Sequence, residues 1–238
     1  VISGVTDEGS FDEVVEARNA ARAFDEIEDA DLWDVDDLLR IHDTLMFGCV
    51  EKPGFRDHDV CIADRDDHII YVAPHFDVVE PMVGKLFDWC GSSELPAPVI
   101  GAVAHYYLES IHPFPDGNGR IGRLWHSVVL RRFDKVFDIA PMEPEILGRR
   151  QDYYDVLSRC QKDDAQDCTL FIEFCLDTCV SSLERLADRI GIRAAVPDSG
   201  TPVSPLPDEV SSHPRTGTPM PWAGRRPPSR SGIPPCRR

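Results

Sequence analysis

A chain of 238 residues, 42% hydrophobic and 28% charged, is long and apolar enough for one sizeable core or two small ones. A formal net charge of −17 excludes general affinity for nucleic acid or for an anionic leaflet, because both rest on cationic contacts to phosphate. No run of about 18 apolar residues is present to span a membrane, and the opening VISGVTDEGS lacks the basic region and apolar stretch of a secretory signal.

The first helix is predicted over FDEVVEARNAARAFDEI (11–27), where Val14, Ala17, Ala21 and Phe24 recur at spacings of three and four. Asp34 or Asp36 caps a second, whose apolar side is Leu38, Leu39, Ile41, His42 and Leu45. Residues 54–76 break the helical pattern. Turn formers at 64–67 precede the β-prone run HIIYV, ended by Pro74, and together they read as a short hairpin or loop. Then LPAPVIGAVAHYYLES places Val99, Val103, Tyr106 and Tyr107 at helical spacing, and further helices are expected over 143–160 and 168–190.

Composition changes near residue 194. From Pro197 to Arg238 there are eleven prolines and six arginines against three acids, with few large apolar groups, so 195–238 reads as a disordered, proline-rich tail. Residues 1–194 are then one mainly helical domain. Eight cysteines (49, 61, 90, 160, 168, 175, 179 and 236) show neither a CxxC pair nor a paired zinc spacing. Cys175 and Cys179, four apart on one helix, read as small apolar core groups. The pattern suits a reducing cytosol, so a cytoplasmic setting is expected.

The densest chemistry lies in IHPFPDGNGRIGRLWHSVVL (111–130). Pro113 stops the preceding helix, and Ile121, Leu124, Trp125 and Val128 give the next one a buried face. The loop between them ends at a helix start, which offers free N–H groups and a positive dipole end to an anion. Gly117 and Gly119 permit positive φ and a close approach of phosphate to the backbone. Arg120 and Arg123, three apart, share one side of the first turn and suit phosphate oxygens. Asp116 is a hard ligand for Mg²⁺, and His112 a base of near-neutral pKa for an attacking hydroxyl. Jointly they describe phosphoryl or nucleotidyl transfer.

The twelve residues His112 to Arg123 resemble, without departure, the HxFx[D/E]GNGRxxR signature of the Fic (filamentation induced by cAMP) family. Leu39-Arg40-Ile41-His42 with Leu45-Met46, Pro53-Gly54-Phe55-Arg56, Tyr71-Val72-Ala73-Pro74 and Tyr153-Tyr154 are similar to flanking family elements. The resemblance covers roughly residues 1–190. It implies a Fic-type helical bundle with a short β-hairpin flap, and transfer of AMP from ATP to a Ser, Thr or Tyr hydroxyl of a target protein. It further implies His112 as general base and Asp116 as the Mg²⁺ ligand. The Gly117, Asn118 and Gly119 loop would cradle the α- and β-phosphates, Arg120 and Arg123 would grip the β- and γ-phosphates, and Phe114 would anchor the loop. His68, Ile69, Ile70, Tyr71 and Val72 would form the flap that holds the target as an added strand. Members transferring UMP, phosphate or phosphocholine, and a non-catalytic module, are the alternatives; a homodimer is compatible with the resemblance. Many members carry an inhibitory [S/T]xxxE[G/N] helix. Here Ser3 stands where its glutamate is expected, and Glu8-Gly9 follows Gly4 rather than Ser or Thr, so the glutamate is expected to be absent.

Overall fold

The computed structural model describes residues 11–63, 69–163 and 167–192; Ser3, Glu8, His68 and the tail from 195 lie outside them. In chain order the described elements are α1 (Phe11–Glu26), α2 (Val35–Leu45), β1 (Cys61–Ala63), β2 (Ile69–Val72), α3 (Val79–Ser92), α4 (Ala97–Ile111), α5 (Asn118–Phe133), α6 (Glu143–Gly148), α7 (Arg150–Lys162) and α8 (Thr169–Arg189). The molecule is mainly α, as expected, and the small sheet is antiparallel, with Cys61 opposite Val72 and Ile62 opposite Tyr71.

The central element is α4. Pro98 sits in its first turn, where a missing N–H costs nothing. Every residue from Ile100 to Ile111 is buried, so the helix is covered on all sides. Its main partner is α5, and glycines let the two backbones approach. A Cβ on Gly101 would come 2.7 Å from His126 Cδ2, and one on Gly122 would come 3.0 Å from His105 Cδ2. The middle and end of α5 pin the connection between α1 and α2. Trp125 Nε1 donates to the Leu32 carbonyl at 2.9 Å, and the Arg132 guanidinium donates to the carbonyls of Ile27, Glu28 and Ala30.

Three local expectations are corrected. The buried side of α1 runs through Asn19, Ala23 and then Ile27, whereas Val14 and Phe24 are exposed. The polar Asn19 belongs inside because its Nδ2 donates to the Phe47 carbonyl at 2.7 Å. The expected helix 143–160 is broken at Gly148 and Arg149, where Arg149 leaves helical geometry (φ −116°, ψ 32°), giving α6 and α7. Helix α3 lies in a stretch for which no element is predicted. Asp34 is the cap of α2, its side chain accepting from Asp37 N at 3.0 Å, and Cys175 and Cys179 are both buried on α8. Among the described residues no helix is long and apolar enough to cross a membrane.

The glycine contacts give a paired prediction. Ala in place of a mid-helix Gly normally stabilises by up to about 1 kcal/mol, and Gly84→Ala on α3, with open space around the new methyl, should raise Tm. Gly101→Ala should lower it, because overpacking against His126 costs about 1–3 kcal/mol. Thermal melts followed by circular dichroism decide; similar shifts in both variants would contradict the close approach of α4 and α5.

Candidate active site

Helix α4 ends because His112 turns left-handed (φ 51°, ψ 60°), the one non-glycine with positive φ among the described residues. Its N–H still reaches the Leu108 carbonyl at 3.0 Å, while Pro113 disfavours helical geometry in its predecessor. A left-handed histidine is uncommon and strained, and the buried Arg56 holds it. Arg56 Nε donates to the His112 carbonyl at 2.8 Å, and Nη1 to that of His58 at 2.8 Å. Its Nη2 donates to the Ile111 carbonyl at 3.4 Å and to that of Pro74, just beyond β2. The Arg56 backbone N–H closes the turn on the Pro113 carbonyl at 2.9 Å. One guanidinium therefore ties the end of α4, the active-site loop and the end of the flap together.

The loop is fixed from inside. Phe114 is wholly buried and stacks on His42, with ring centroids 3.6 Å apart and planes within 5°. The buried His42 donates from Nε2 to the Asp116 carbonyl at 2.9 Å. Asn118 turns inward: its Oδ1 accepts from Phe114 N at 2.9 Å and its Nδ2 donates to the Phe114 carbonyl at 2.8 Å. The Asn118 side chain is thus spent on the loop, and what it offers an anion is its backbone N–H. Of Gly117 and Gly119, Gly117 alone uses positive φ (83°); a Cβ there would meet Met46 Sδ at 2.5 Å. Gly119 lies within the first turn of α5, and its missing side chain instead leaves room for Arg123 Nη1, 3.1 Å from where a Cβ would stand.

Past Gly117, the amides of Asn118, Gly119 and Arg120 have no backbone acceptor among the described residues, since Ile121 N is the first to find one (Gly117 O, 2.9 Å). These three N–H groups open a helix of 16 residues, so their dipoles and the helix field act together on an anion. Arg120 sits beside them, 3.4 Å from Asp116 Oδ2 and 3.2 Å from Glu16 Oε1 on α1. Asp116 is largely exposed, and its Oδ1 accepts from Gly117 N at 2.6 Å. A lone exposed carboxylate beside an anion nest fits Mg²⁺, which takes one or two carboxylates and completes its shell with phosphate oxygens and water.

Behind Arg123 stands Glu109, one turn before His112 and buried. Its Oε1 lies 3.4 Å from the Cβ positions of both Gly119 and Gly122, accepts from Tyr153 Oη at 3.1 Å and lies 3.7 Å from His105 Nε2. Burial opposes its ionisation, but the bond with His105 and the neighbouring His105, His112 and Arg123 hold its carboxyl below the usual range. Burial also pushes His112 below an ordinary imidazole, with Glu109 working against the shift. His112 is therefore neutral at pH 7, with Nδ1 buried and unpaired among the described residues. Of the expected flap, Ile69, Ile70, Tyr71 and Val72 form β2, Ile69 is 52% exposed, and burial pushes the Tyr71 hydroxyl up to about 12.

The structure brings together His112, Asp116, Gly117, Asn118, Gly119, Arg120 and Arg123 at one end of the α4–α5 pair. Sequence reasoning missed Glu109, the hold of Arg56 on His112 and the hold of His42 on Asp116. The histidine on the apolar side of α2 and the Pro53-Gly54-Phe55-Arg56 element were the available signals.

Fold and loop together define a helical domain that presents an anion-binding helix start beside a neutral histidine. Residues 32–130 match the Fic/DOC family. It is 28% identical over 155 residues to a protein adenylyltransferase Fic of Nematostella vectensis, covering 62% of this chain and 33% of that protein. With the counterpart from Culex quinquefasciatus it shares 30% over 148 residues, 59% of this chain and 27% of the relative. The chain thus spans about a third or less of these curated relatives. Among solved structures, a Fic family protein from Desulfovibrio desulfuricans superposes with a TM-score of 0.71 at 33% identity, over 79% of this chain and 57% of that one. A Fic domain containing signaling protein from Bacteroides thetaiotaomicron, at 18% identity and TM-score 0.63 over 81% and 79%, shares the fold.

The burial of His112 is testable by NMR titration of its ring protons. The midpoint should fall below 6.5, and Glu109→Gln should lower it further, because the carboxylate favours the imidazolium. A midpoint at or above 6.5 would contradict the account.

Proposed function

We propose that this domain is a protein adenylyltransferase, moving AMP from ATP to a Ser, Thr or Tyr hydroxyl of a target protein. The observation that carries the reading is the pairing of a neutral, half-buried imidazole at His112 with the open α5 start and two arginines. The hydroxyl oxygen attacks the α-phosphorus, the bond to the bridging oxygen breaks, pyrophosphate leaves, and the hydroxyl proton passes to His112. Such a transfer depends mainly on positioning and charge stabilisation. The backbone N–H groups of Asn118, Gly119 and Arg120 hold the α- and β-phosphates. Arg123 takes the terminal phosphates, and Arg120 joins it by exchanging Glu16 for phosphate oxygens. Asp116 would hold Mg²⁺, which when bound offsets charge on the phosphate chain. Strand β2, with exposed Ile69 at one end, would pair with an extended target segment through backbone bonds. The relatives named adenylyltransferase support AMP as the transferred group.

Intact-mass spectrometry after incubation with ATP and Mg²⁺ tests the proposal, using self-modification or a candidate target. One added AMP is expected, lost in His112→Ala, with the rate of the wild-type enzyme falling on acidification through a pKa below 6.5 as the imidazole charges. A gain of phosphate alone would replace the reading with phosphate transfer. Bound ATP without any gain across candidate targets would leave a nucleotide-binding module.

A further inference from the structure

Behind the anion loop, the α4–α5 contact carries a second constellation. His105 on α4 and His126 on α5 are wholly buried, with their Nδ1 atoms 3.3 Å apart. The buried Cys175 of α8 joins them, and one ligand atom from each residue lies within 4.8 Å of the other two. The imidazoles are seated reciprocally. Gly101 stands four residues before His105 and faces His126, while Gly122 stands four residues before His126 and faces His105. Each helix thus clears the space that the other fills with a ring.

Following the protons shows what the rings present. Tyr153 spends its one proton on Glu109, so His105 Nε2, 3.1 Å from the Tyr153 oxygen, is the donor in that contact. A neutral His105 then has its lone pair on Nδ1, facing His126. An acceptor that fixes a ring tautomer through the opposite nitrogen, here the Tyr153 oxygen backed by Glu109, is the kind of support that metal-binding histidines use. The ring-to-ring contact alone compensates little: His126 makes no other hydrogen bond, and its buried Nε2 has no partner among the described residues.

We propose that His105, His126 and Cys175 form a structural site for a borderline-soft divalent ion of the zinc class, bound through one nitrogen of each ring and the Cys175 thiolate. Tetrahedral zinc, with Zn–N near 2.0–2.1 Å, puts two ring nitrogens about 3.3–3.4 Å apart, as the Nδ1 atoms already are. Imidazole and thiolate select such an ion over Mg²⁺, which keeps the site chemically separate from Asp116. Binding releases the thiol proton, and one water completes the fourth position. The ion would join α4, α5 and α8 directly beneath Glu109. The proposal stands independently of AMP transfer.

The test uses the full chain expressed with zinc, passed through chelator, and analysed by elemental mass spectrometry. About one zinc per chain is expected. Refolding with Co²⁺ should give visible d–d bands and a near-ultraviolet thiolate band. Cys175→Ala should abolish the thiolate band while keeping the helical circular dichroism, Cys179→Ala should keep both, and Tyr153→Phe should weaken metal affinity about ten- to a hundredfold. Metal-free protein that shows no thiolate band after refolding with Co²⁺ would overturn the site. So would a Cys175→Ala variant that keeps the metal and the band. If Cys175→Ala does not fold, His126→Gln takes its place, and metal retention there overturns the site equally.

Discussion

The arrangement depends first on one guanidinium. Antiparallel neighbours place the negative C-terminal end of α4 beside the positive N-terminal end of α5, and left alone the two fields would largely cancel. Arg56 sits on the α4 side and donates to the carbonyls of Ile111 and His112. The α4 end is neutralised by protein, so the α5 end keeps its field for a ligand. The same bonds hold His112 in a left-handed conformation that costs about 1–3 kcal/mol in isolation. Helix termination, ring placement and anion affinity are therefore one device.

Charge is layered behind that device. In a chain of formal charge −17, the loop end gathers Arg56, Arg120 and Arg123. The acids near them have distinct duties: Glu109 lies underneath and buried, Asp116 on the rim, and Glu16 reaches across from α1. Buried underneath, Glu109 sets negative charge near Arg123 without occupying the rim. An exposed one such as Glu16 is cheaply displaced, since surface pairs contribute little.

The helix–loop–helix at 111–123 was legible because its determinants are local: a proline that stops one helix, glycines that open the turn, and an apolar period that starts the next. The hairpin was legible for the same reason, from HIIYV and its flanking turn formers. Elsewhere periodicity misled or said nothing. Asn19 occupies a core position of α1 because of a carbonyl 28 residues away, which no window over the helix contains. On α4 every position from Ile100 to Ile111 is buried, so no period separates Glu109 and His105 from their apolar neighbours. The two Gly-x-x-x-His spacings, at 101–105 and 122–126, were in plain view, yet they acquire meaning only once the helices are paired. Asn118 was read as part of the phosphate cradle; that its side chain is spent on the Phe114 backbone shows only in the folded loop.

The flap is held by Arg56 through the Pro74 carbonyl and by strand pairing, both of which address backbone atoms. Backbone bonds do not depend on which side chains the strand carries. Ile69, the exposed residue of β2, is thus released from any duty to the fold. On the proposed reading, such a protein can change what it docks by rewriting the exposed end of the flap, while the loop end, locked by His42, Asn118 and Arg56, stays as it is.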